Sequence, residues 1–272
     1  MAMGGLMSLC GEADRPPVRM RPAQAYVQAG LQAAVATLLA HHYRQRTGAG
    51  QFVDISMQHA LSWTIIPARQ YWELDRLITE RGGASRAFGD QVRRIIFPCR
   101  DGHIALMGVL NSREWGPMVA WLAGEGMAED LTDDSWRILV ENAGPGPLTQ
   151  AAVTDEELAH VDAILARFFL KHTKAELAEE ALRRRIMLFP VHTPRDLLEH
   201  PQLTAREFFR PVEHPELGQT LCYPGAPYRL SETPWRLRRR APLIGEHNAA
   251  IYGGELGLSR AELAVLMAAG AI

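Results

Sequence analysis

The clearest periodic pattern along the chain is helical and runs from Tyr26 to Arg46. Five side chains recur at the 3.6-residue spacing of one helix stripe: Val27, Leu31, Ala34, Leu38 and His42. Alanine and glycine make the other faces small, so a neighbouring backbone could pack closely against them. The run from Thr47 to Gly50 predicts the helix end, because glycine readily adopts the left-handed conformation of a C-terminal cap. We therefore expect a positive φ at Gly48 or Gly50.

Beyond this helix the hydrophobic pattern changes twice. From Gln51 to Met57 polar and apolar residues alternate, which predicts a half-buried strand, and a second helix is expected from about Gln58 to Trp72. Arg94 to Phe97, an Asp101-Gly102 turn and His103 to Val109 then form the pattern of a β-hairpin. A smaller domain is expected to begin near this hairpin.

The remainder of the chain is mostly helical in pattern. Ser/Thr-x-x-Glu motifs predict helix starts, because the hydroxyl and the carboxylate of a capping box satisfy backbone amides reciprocally. Four such motifs begin at Thr154, Thr173, Thr204 and Ser259. Glycine and proline predict loops at Gly82-Gly83 and Gly89, from Ala143 to Pro147, and from Pro211 to Pro234, where short strands are expected around Cys222.

Composition is that of an ordinary soluble globular protein. The chain has 272 residues, of which 47% are hydrophobic and 22% are charged, and this length suits one large domain or two small ones. Its 29 basic and 31 acidic residues give a net charge of -2. Such a balance offers no electrostatic attraction to nucleic acid or to an anionic membrane, so neither partner is expected.

Cysteine content and the N-terminal sequence favour a cytoplasmic location. Cys10, Cys99 and Cys222 are odd in number and far apart, so we expect free thiols in a reducing compartment. The first 20 residues lack the basic start and apolar run of a signal peptide. The most apolar stretch, Leu31 to Ala40, is far shorter than the ~20 residues of a membrane helix.

Motifs that identify a reaction by themselves are missing or incomplete. Cys99-x-x-x-His103 lacks a second pair of zinc ligands, so no metal site is expected. The sequence has no Gly-x-Ser-x-Gly elbow and neither of the common glycine-rich phosphate-binding motifs. The arginine run 183–185 has acidic neighbours and predicts a solvated helix face, whereas the run 238–240 could meet a phosphate such as those of CoA. From these residues alone we can predict only a soluble mixed α/β protein, and its mechanism stays unassigned.

Several longer stretches carry a family resemblance. The most specific runs from Arg46 to Met57, RTGAGQFVDISM, and is similar almost letter for letter to a family segment, RTGxGQxVDVSM. The others are Gly4–Arg19, the small-residue helix after Ala29-Gly30, Cys99–Leu106, Pro190–Thr193, His200–Arg206, Pro224–Pro227 and Ala241–His247. In order and spacing they resemble the family III coenzyme A transferases of the CaiB/BaiF type.

The resemblance implies an α/β fold. It would contain part of a Rossmann-like large domain and a smaller α+β domain inserted into it. Residues 1–96 would belong to the large domain, residues 97–191 would form the small domain, and residues 192–272 would return to the large one. In the family two chains interlock as a dimer, which implies a homodimer or a homologous partner subunit. The usual opening third of the family pattern, with much of its CoA-binding surface, has no counterpart in this sequence.

The resemblance also implies a reaction. CoA would move between an acyl-CoA and a carboxylic acid, with the CoA thioester as substrate and no permanently bound cofactor. A carboxylate of the enzyme attacks the thioester, and an acyl anhydride and an enzyme–CoA thioester follow. The family's nucleophilic Asp stands four residues before the helix glycine, a position that Tyr26 holds here. A phenol, with an ordinary pKa of about 10, is a poor replacement and cannot form the anhydride.

Tyr26, Gly82 and Gly83 are the expected substrate-binding residues, and the catalytic residue stays open. The family's glycine-rich loop falls at Gly82-Gly83-Ala84-Ser85, where backbone amides could approach the reacting carbonyl. A plain flexible linker has the same composition. Besides an active CoA transferase, the sequence allows a non-catalytic partner subunit of a heteromeric transferase, or a truncated product that lacks the CoA-binding third.

Overall fold

The computed structural model of the chain describes residues 1–88, 91–107, 111–142 and 153–272. The polypeptide divides into two units, Met1–Val191 and His192–Ile272. The division into three segments at residues 96 and 191 stays a prediction. Within the described ranges, no helix combines the length and the apolar character that crossing a bilayer requires.

A long helix, α1, dominates the start of the first unit. It spans Gln24–Thr47 and follows a short 3-10 turn at Leu6–Leu9. The helical period predicted α1 to within two residues at its N-terminus. Gly48 caps its C-terminus with a φ of 77°, which confirms the expected left-handed glycine.

The second predicted helix is confirmed in position but is broken in two. Helix α2 spans Met57–Ser62, and α3 spans Ile66–Asp75, with a 3-10 turn at Trp63–Ile65 between them. Pro67 lies in the first turn of α3. Proline is tolerated there but not in a helix interior, because it has no amide hydrogen to donate.

The predicted strand from Gln51 to Met57 is wrong. Residues 51–56 have no regular secondary structure, and α2 begins at Met57. A strand needs a hydrogen-bonded neighbour, and alternation of side chains does not supply one. No neighbour pairs with this segment in the part of the chain that the structure describes.

The strands of the first unit are antiparallel. Strands β1, Ser85–Phe88, and β2, Gln91–Arg94, pair with each other. Strands β3, Ile96–Cys99, β4, Gly102–Leu106, and β5, Leu188–Pro190, form a sheet in the order β3-β4-β5. The β3–β4 hairpin confirms the predicted turn at Asp101-Gly102. Val109, Gly89 and the predicted loop from Ala143 to Pro147 lie outside the described residues.

The apolar core of the first unit lies between Phe97 and Leu188. It is built from strands β3 to β5 and from four helices: α4, Trp115–Gly124; α5, Asp134–Asn142; α6, Asp155–Phe169; and α7, Lys174–Arg184. Phe97 and Phe169 meet edge to face with ring centroids 5.5 Å apart. Elsewhere in the described residues, three apolar side chains are buried: Ala60, Leu61 and Val212. The segments that flank the core therefore have little core of their own.

The second unit is built around one hairpin. Strands β6, Phe209–His214, and β7, Gln219–Pro224, pair antiparallel and confirm the short strands expected around Cys222. Helices α8, Pro194–Leu198, and α9, Pro201–Ala205, precede the hairpin, and α10, Arg260–Ala268, follows a π-helical turn at Ala249–Glu255. Cys10, Cys99 and Cys222 are free thiols.

Three of the four predicted capping boxes are confirmed. Thr154, Thr173 and Ser259 cap α6, α7 and α10, each with its glutamate bonded back to the cap amide. The fourth, at Thr204, is wrong, because Thr204 lies in the last turn of α9.

Candidate functional site

Tyr26 is the third residue of α1. Its side chain is 71% exposed, and its amide donates to the carbonyl of Ala23 at 3.1 Å as the helix begins. No side chain caps the helix at Ala23. The phenol therefore stands at an open helix start, where it can donate or accept a hydrogen bond.

The glycine loop, defined here as residues Gly82–Ser85, is tied to the loop of residues 10–15. The Gly83 amide donates to the carbonyl of Gly11 at 3.0 Å. The Arg81 guanidinium donates from Nε to the carbonyl of Glu12 at 2.9 Å and from Nη2 to that of Arg15 at 2.7 Å. Arginine suits this role because its fork of donors can hold two acceptors at once.

The other side of the glycine loop is tied to the strands that follow. The amides of Ile95 and Ile96 both donate to the carbonyl of Ala84 at 3.0 Å, and the Ser85 amide donates to the carbonyl of Gly82 at 2.8 Å. The amides of Gly83 and Ser85 are thus already paired within the chain. A ligand oxygen at this loop would have to use the amides of Gly82 or Ala84.

Two features favour glycine at position 83. Its φ is 56°, in the left-handed region that other residues rarely adopt. A side-chain carbon at this position would also collide with the carboxylate of Glu12. At Gly82 an added carbon would lie 2.7 Å from the carbonyl oxygen of Ser85. Both glycines therefore allow close approaches that build the loop.

A cavity of about 310 Å³ opens beside the glycine loop. Gly82, Gly83 and Ser85 form part of its wall, and Tyr71 and Glu80 add a phenol and a carboxylate. The remaining lining residues are Leu6, Leu9, Gly11, Thr64, Ile65, Pro67, Ala68 and Thr79. The mixture of an apolar floor with a few polar groups is typical of a small-molecule site.

The structure brings two of the three expected site residues together. Gly82 and Gly83 lie side by side in the cavity wall, whereas Tyr26 is not among the residues that line it. Glu12, Arg81 and Glu80 were not identified from the sequence. Glu12 lies within the first resembling stretch and Arg81 directly precedes the glycine pair, but neither position alone indicates a contact 69 residues apart along the chain.

The two arginine runs differ in their surroundings. Arg183 on α7 is 62% exposed and pairs with Glu179 and Glu180, which confirms a solvated helix face. Arg240 is largely covered and donates from Nε to Glu216 at 2.8 Å and from Nη1 to Glu246 at 2.8 Å. The hydrogen bond from Arg240 holds the pKa of Glu246 below its usual range, and the Leu243 amide adds to this effect.

Arg238 and Arg239 line a separate cavity of about 460 Å³ in the second unit. Arg240 lies in the same wall, but its charge is already matched by two carboxylates. The expected phosphate contact therefore falls to the two exposed arginines and stays a prediction. In the described ranges, no three His, Cys, Asp or Glu side chains are grouped as metal ligands would be.

Comparison with known proteins gives a consistent family. Residues 1–248 match the sequence profile of CoA-transferase family III. The chain is 36% identical over 276 residues to succinyl-CoA:(R)-benzylsuccinate CoA-transferase subunit BbsE of Thauera aromatica, covering 100% of this chain and 63% of that one. It is 30% identical to a succinyl-CoA--D-citramalate CoA-transferase of Chloroflexus aurantiacus, covering 98% of this chain and 62% of that one.

Among solved structures, a CAIB/BAIF family protein from Brucella suis superposes with a TM-score of 0.70 at 23% identity, over 93% of this chain and 61% of that chain. This likeness confirms the predicted fold class. The chain spans less than two thirds of the length of each of these relatives.

Proposed function

The chain belongs to CoA-transferase family III, and from this membership we propose that it takes part in moving CoA between an acyl-CoA and a carboxylic acid. The observation that carries the proposal is the family match over residues 1–248, together with 36% identity to a named CoA-transferase subunit. The substrates would be a CoA thioester and a free carboxylate, with no permanently bound cofactor.

We place the reacting carbonyl in the cavity beside the glycine loop. Gly82 lies in the wall of this cavity, and its amide would donate to the oxyanion, because preorganised backbone donors act most strongly where charge develops. The apolar lining from Ile65, Pro67 and Ala68 would receive the acyl chain.

The resemblance and the names of two relatives support a second candidate function, that of a non-catalytic partner subunit. By the family resemblance, Tyr26 falls at the position of the nucleophile, and a phenol cannot form the acyl anhydride. Two relatives are named as subunits, BbsE and the beta subunit of a succinyl-CoA--L-malate CoA-transferase. In this role the chain would bind a homologous subunit whose own carboxylate carries the reaction.

The test is CoA transfer from succinyl-CoA, the donor in the names of several relatives, to a panel of carboxylic acids. We expect no transfer by the chain alone, and no covalent adduct on it after trapping with hydroxylamine or borohydride. With a full-length family subunit present, we expect transfer with the adduct on that subunit. If no combination of chains transfers CoA, the proposed function is wrong.

Tyr26 separates the two candidates. Tyr26→Asp restores the family carboxylate, so an adduct should then appear on this chain when the partner is present. Tyr26→Phe should leave the activity of the mixture unchanged. Turnover by the wild-type chain alone that Tyr26→Phe abolishes would overturn the partner role and would require a mechanism without the anhydride.

A further inference from the structure

One cavity of the second unit is lined by the run Arg238–Arg240, and we call it the arginine cavity. Its volume of about 460 Å³ lies in the range of small-molecule sites. Residues 236–240 contain four arginines and no carboxylate. The proposed transfer of CoA at the glycine loop uses neither this cavity nor these charges, so they need an explanation of their own.

The three arginines of this wall differ in how their charge is matched. Arg240, whose side chain is 14% exposed, is held by the carboxylates of Glu216 and Glu246. Arg238 and Arg239 are exposed, and their guanidinium groups form no hydrogen bond or ion pair with the residues that the structure describes. The exposed carboxylate of Glu213 on β6 is likewise unmatched within the described ranges. Two unmatched positive charges thus face one negative charge, a balance that favours an anion.

A chain of hydrogen bonds from the β6–β7 hairpin holds the arginine run in place. His214, the last residue of β6, is 8% exposed. Its Nδ1 lies 2.8 Å from Oε1 of Glu216, and its Nε2 lies 3.0 Å from the hydroxyl oxygen of Tyr223. Oε2 of Glu216 in turn accepts from Nε of Arg240. The backbone beside the two unmatched arginines is therefore fixed in advance, which reduces the ordering that a ligand must impose.

Two adjacent unmatched guanidinium groups suit a phosphate monoester better than a carboxylate. Each guanidinium can donate two parallel hydrogen bonds to one anion. A carboxylate has only two oxygens and a single charge, so one arginine is enough for it. A phosphate monoester has three terminal oxygens and a charge of about −1.5 to −2 near pH 7, so it can engage both arginines. The apolar side of the cavity, from Pro211, Pro215 and Leu237, would receive the group attached to the phosphate.

We propose that the arginine cavity binds a phosphate monoester, with Arg238 and Arg239 donating to the phosphate oxygens and Leu237 contacting the esterified group. The 3′-phosphate of CoA and the phosphate of another metabolite present the same chemistry to the two arginines, so the experiment separates these two sources. The site does not rest on the proposed function, because binding of an anion requires no transfer of CoA.

The experiment measures binding of phenyl phosphate to the complete chain by isothermal titration calorimetry. We expect saturable binding of one phenyl phosphate per chain. The double substitution Arg238→Gln and Arg239→Gln should weaken this binding at least about 10-fold, because hydrogen bonds to charged groups are lost. Glu213→Gln should strengthen it about threefold, because the unmatched negative charge of the wall is removed.

Arg183→Gln is the matched control. Arg183 belongs to the other arginine run, is 62% exposed and pairs with Glu179 and Glu180, so its substitution should leave the binding of phenyl phosphate unchanged. Thermal melts of all these variants should match that of the parent, because the substituted side chains lie at the surface. Equal weakening by the control would mean an unspecific attraction to basic surface and would overturn the proposal.

Competition against phenyl phosphate identifies the source of the phosphate. Displacement by CoA at least about 10-fold better than by 3′-dephospho-CoA would assign the site to the 3′-phosphate of CoA. Failure of both compounds to displace phenyl phosphate would assign it to another phosphate monoester. Equally effective displacement by both would mean that the site recognises a diphosphate, and the assignment to a monoester would be wrong. No saturable binding by the parent, or binding that the double substitution leaves intact, would overturn the proposal as a whole.

Discussion

At the scale of single residues, Gly83 is restricted by its own backbone and by a distant side chain. Gly83→Ala would place a β-carbon at a φ of 56° and against the Glu12 carboxylate, so we expect a loss of about 1–3 kcal/mol in the free energy of unfolding. Gly30→Ala is the control, because a β-carbon there meets nothing within 4 Å in helix α1. Gly30→Ala should raise the free energy of unfolding by about 0.5–1 kcal/mol, because alanine is a better helix former than glycine. Urea melts that shift equally in both variants would contradict this account.

Asp162 on α6 connects stability to pH. Desolvation raises the pKa of Asp162 to about 6, against the opposing attraction of Arg93 and Arg94 on β2. In the unfolded chain an Asp titrates near about 3.9, so the folded state binds the proton more tightly. The stabilisation from this proton is complete below about pH 4 and is lost as the pH rises through about 6.

Asp162→Asn should abolish that dependence. The free energy of unfolding of the variant, relative to that of the parent, should become more favourable between pH 4 and pH 8, because the raised pKa of Asp162 makes its charged form costly in the folded state. Melts at pH 4, 6 and 8 measure the difference. A variant less stable than the parent at pH 8 would mean that attraction to the two arginines outweighs desolvation.

At the scale of elements, Thr154 and Thr204 begin the same motif but have different structural roles. Thr154 accepts a hydrogen bond from the Glu157 amide and closes a complete box at the start of α6, whereas Thr204 lies near the end of α9. Thr154→Ala should therefore lower the free energy of unfolding by about 1 kcal/mol. Thr204→Ala should lower it by only a few tenths of a kcal/mol. Equal shifts in melting temperature for the two variants would mean that the capping box at Thr154 does not stabilise the protein.

This pair also shows how far local sequence reaches. Helix α1, the β3–β4 hairpin and three capping boxes follow from patterns within one or two turns of chain, and all were predictable. The strand predicted from Gln51 to Met57 does not form, because a strand depends on a hydrogen-bonded neighbour that the alternating pattern does not reveal. The false box at Thr204 arose because His200 and Pro201 had already begun a helix there.

In the candidate site, too, some residues could be predicted from the sequence and others could not. Gly82 and Gly83 were identified from their own sequence and from the resemblance. The contact of Gly83 with Glu12, and the hold of Arg81 on residues 12–15, depend on chain segments about 70 residues apart. A local sequence pattern does not indicate such a distant contact, so only the folded structure could show that a carboxylate lies against the glycine loop.

At the scale of the whole molecule, stability is concentrated in one part of the chain. Every member of the core cluster lies between Phe97 and Leu188. A fragment of residues 95–191 should therefore fold alone with a cooperative melt, because burial of apolar area is the main driving force. A fragment of residues 192–272, with Val212 as its one buried apolar side chain among those described, should not. Calorimetry of both fragments tests this, and a non-cooperative trace from the first would contradict it.

The unstructured segment between α1 and α2 also makes the chain a natural candidate for limited proteolysis. Phe52 is 92% exposed in that segment, so chymotrypsin should cleave there before it reaches the core. The two pieces should nevertheless stay together, because Gln58 donates to the carbonyl of Met3 at 2.8 Å and Arg81 holds the loop of residues 12–15. A nicked chain should run as two bands on a denaturing gel and as one peak in native chromatography. The peptide bond at Phe52 would then not be needed to hold the first unit together. Release of the N-terminal piece would show that the hydrogen bonds of Gln58 and Arg81 are too weak to replace that bond.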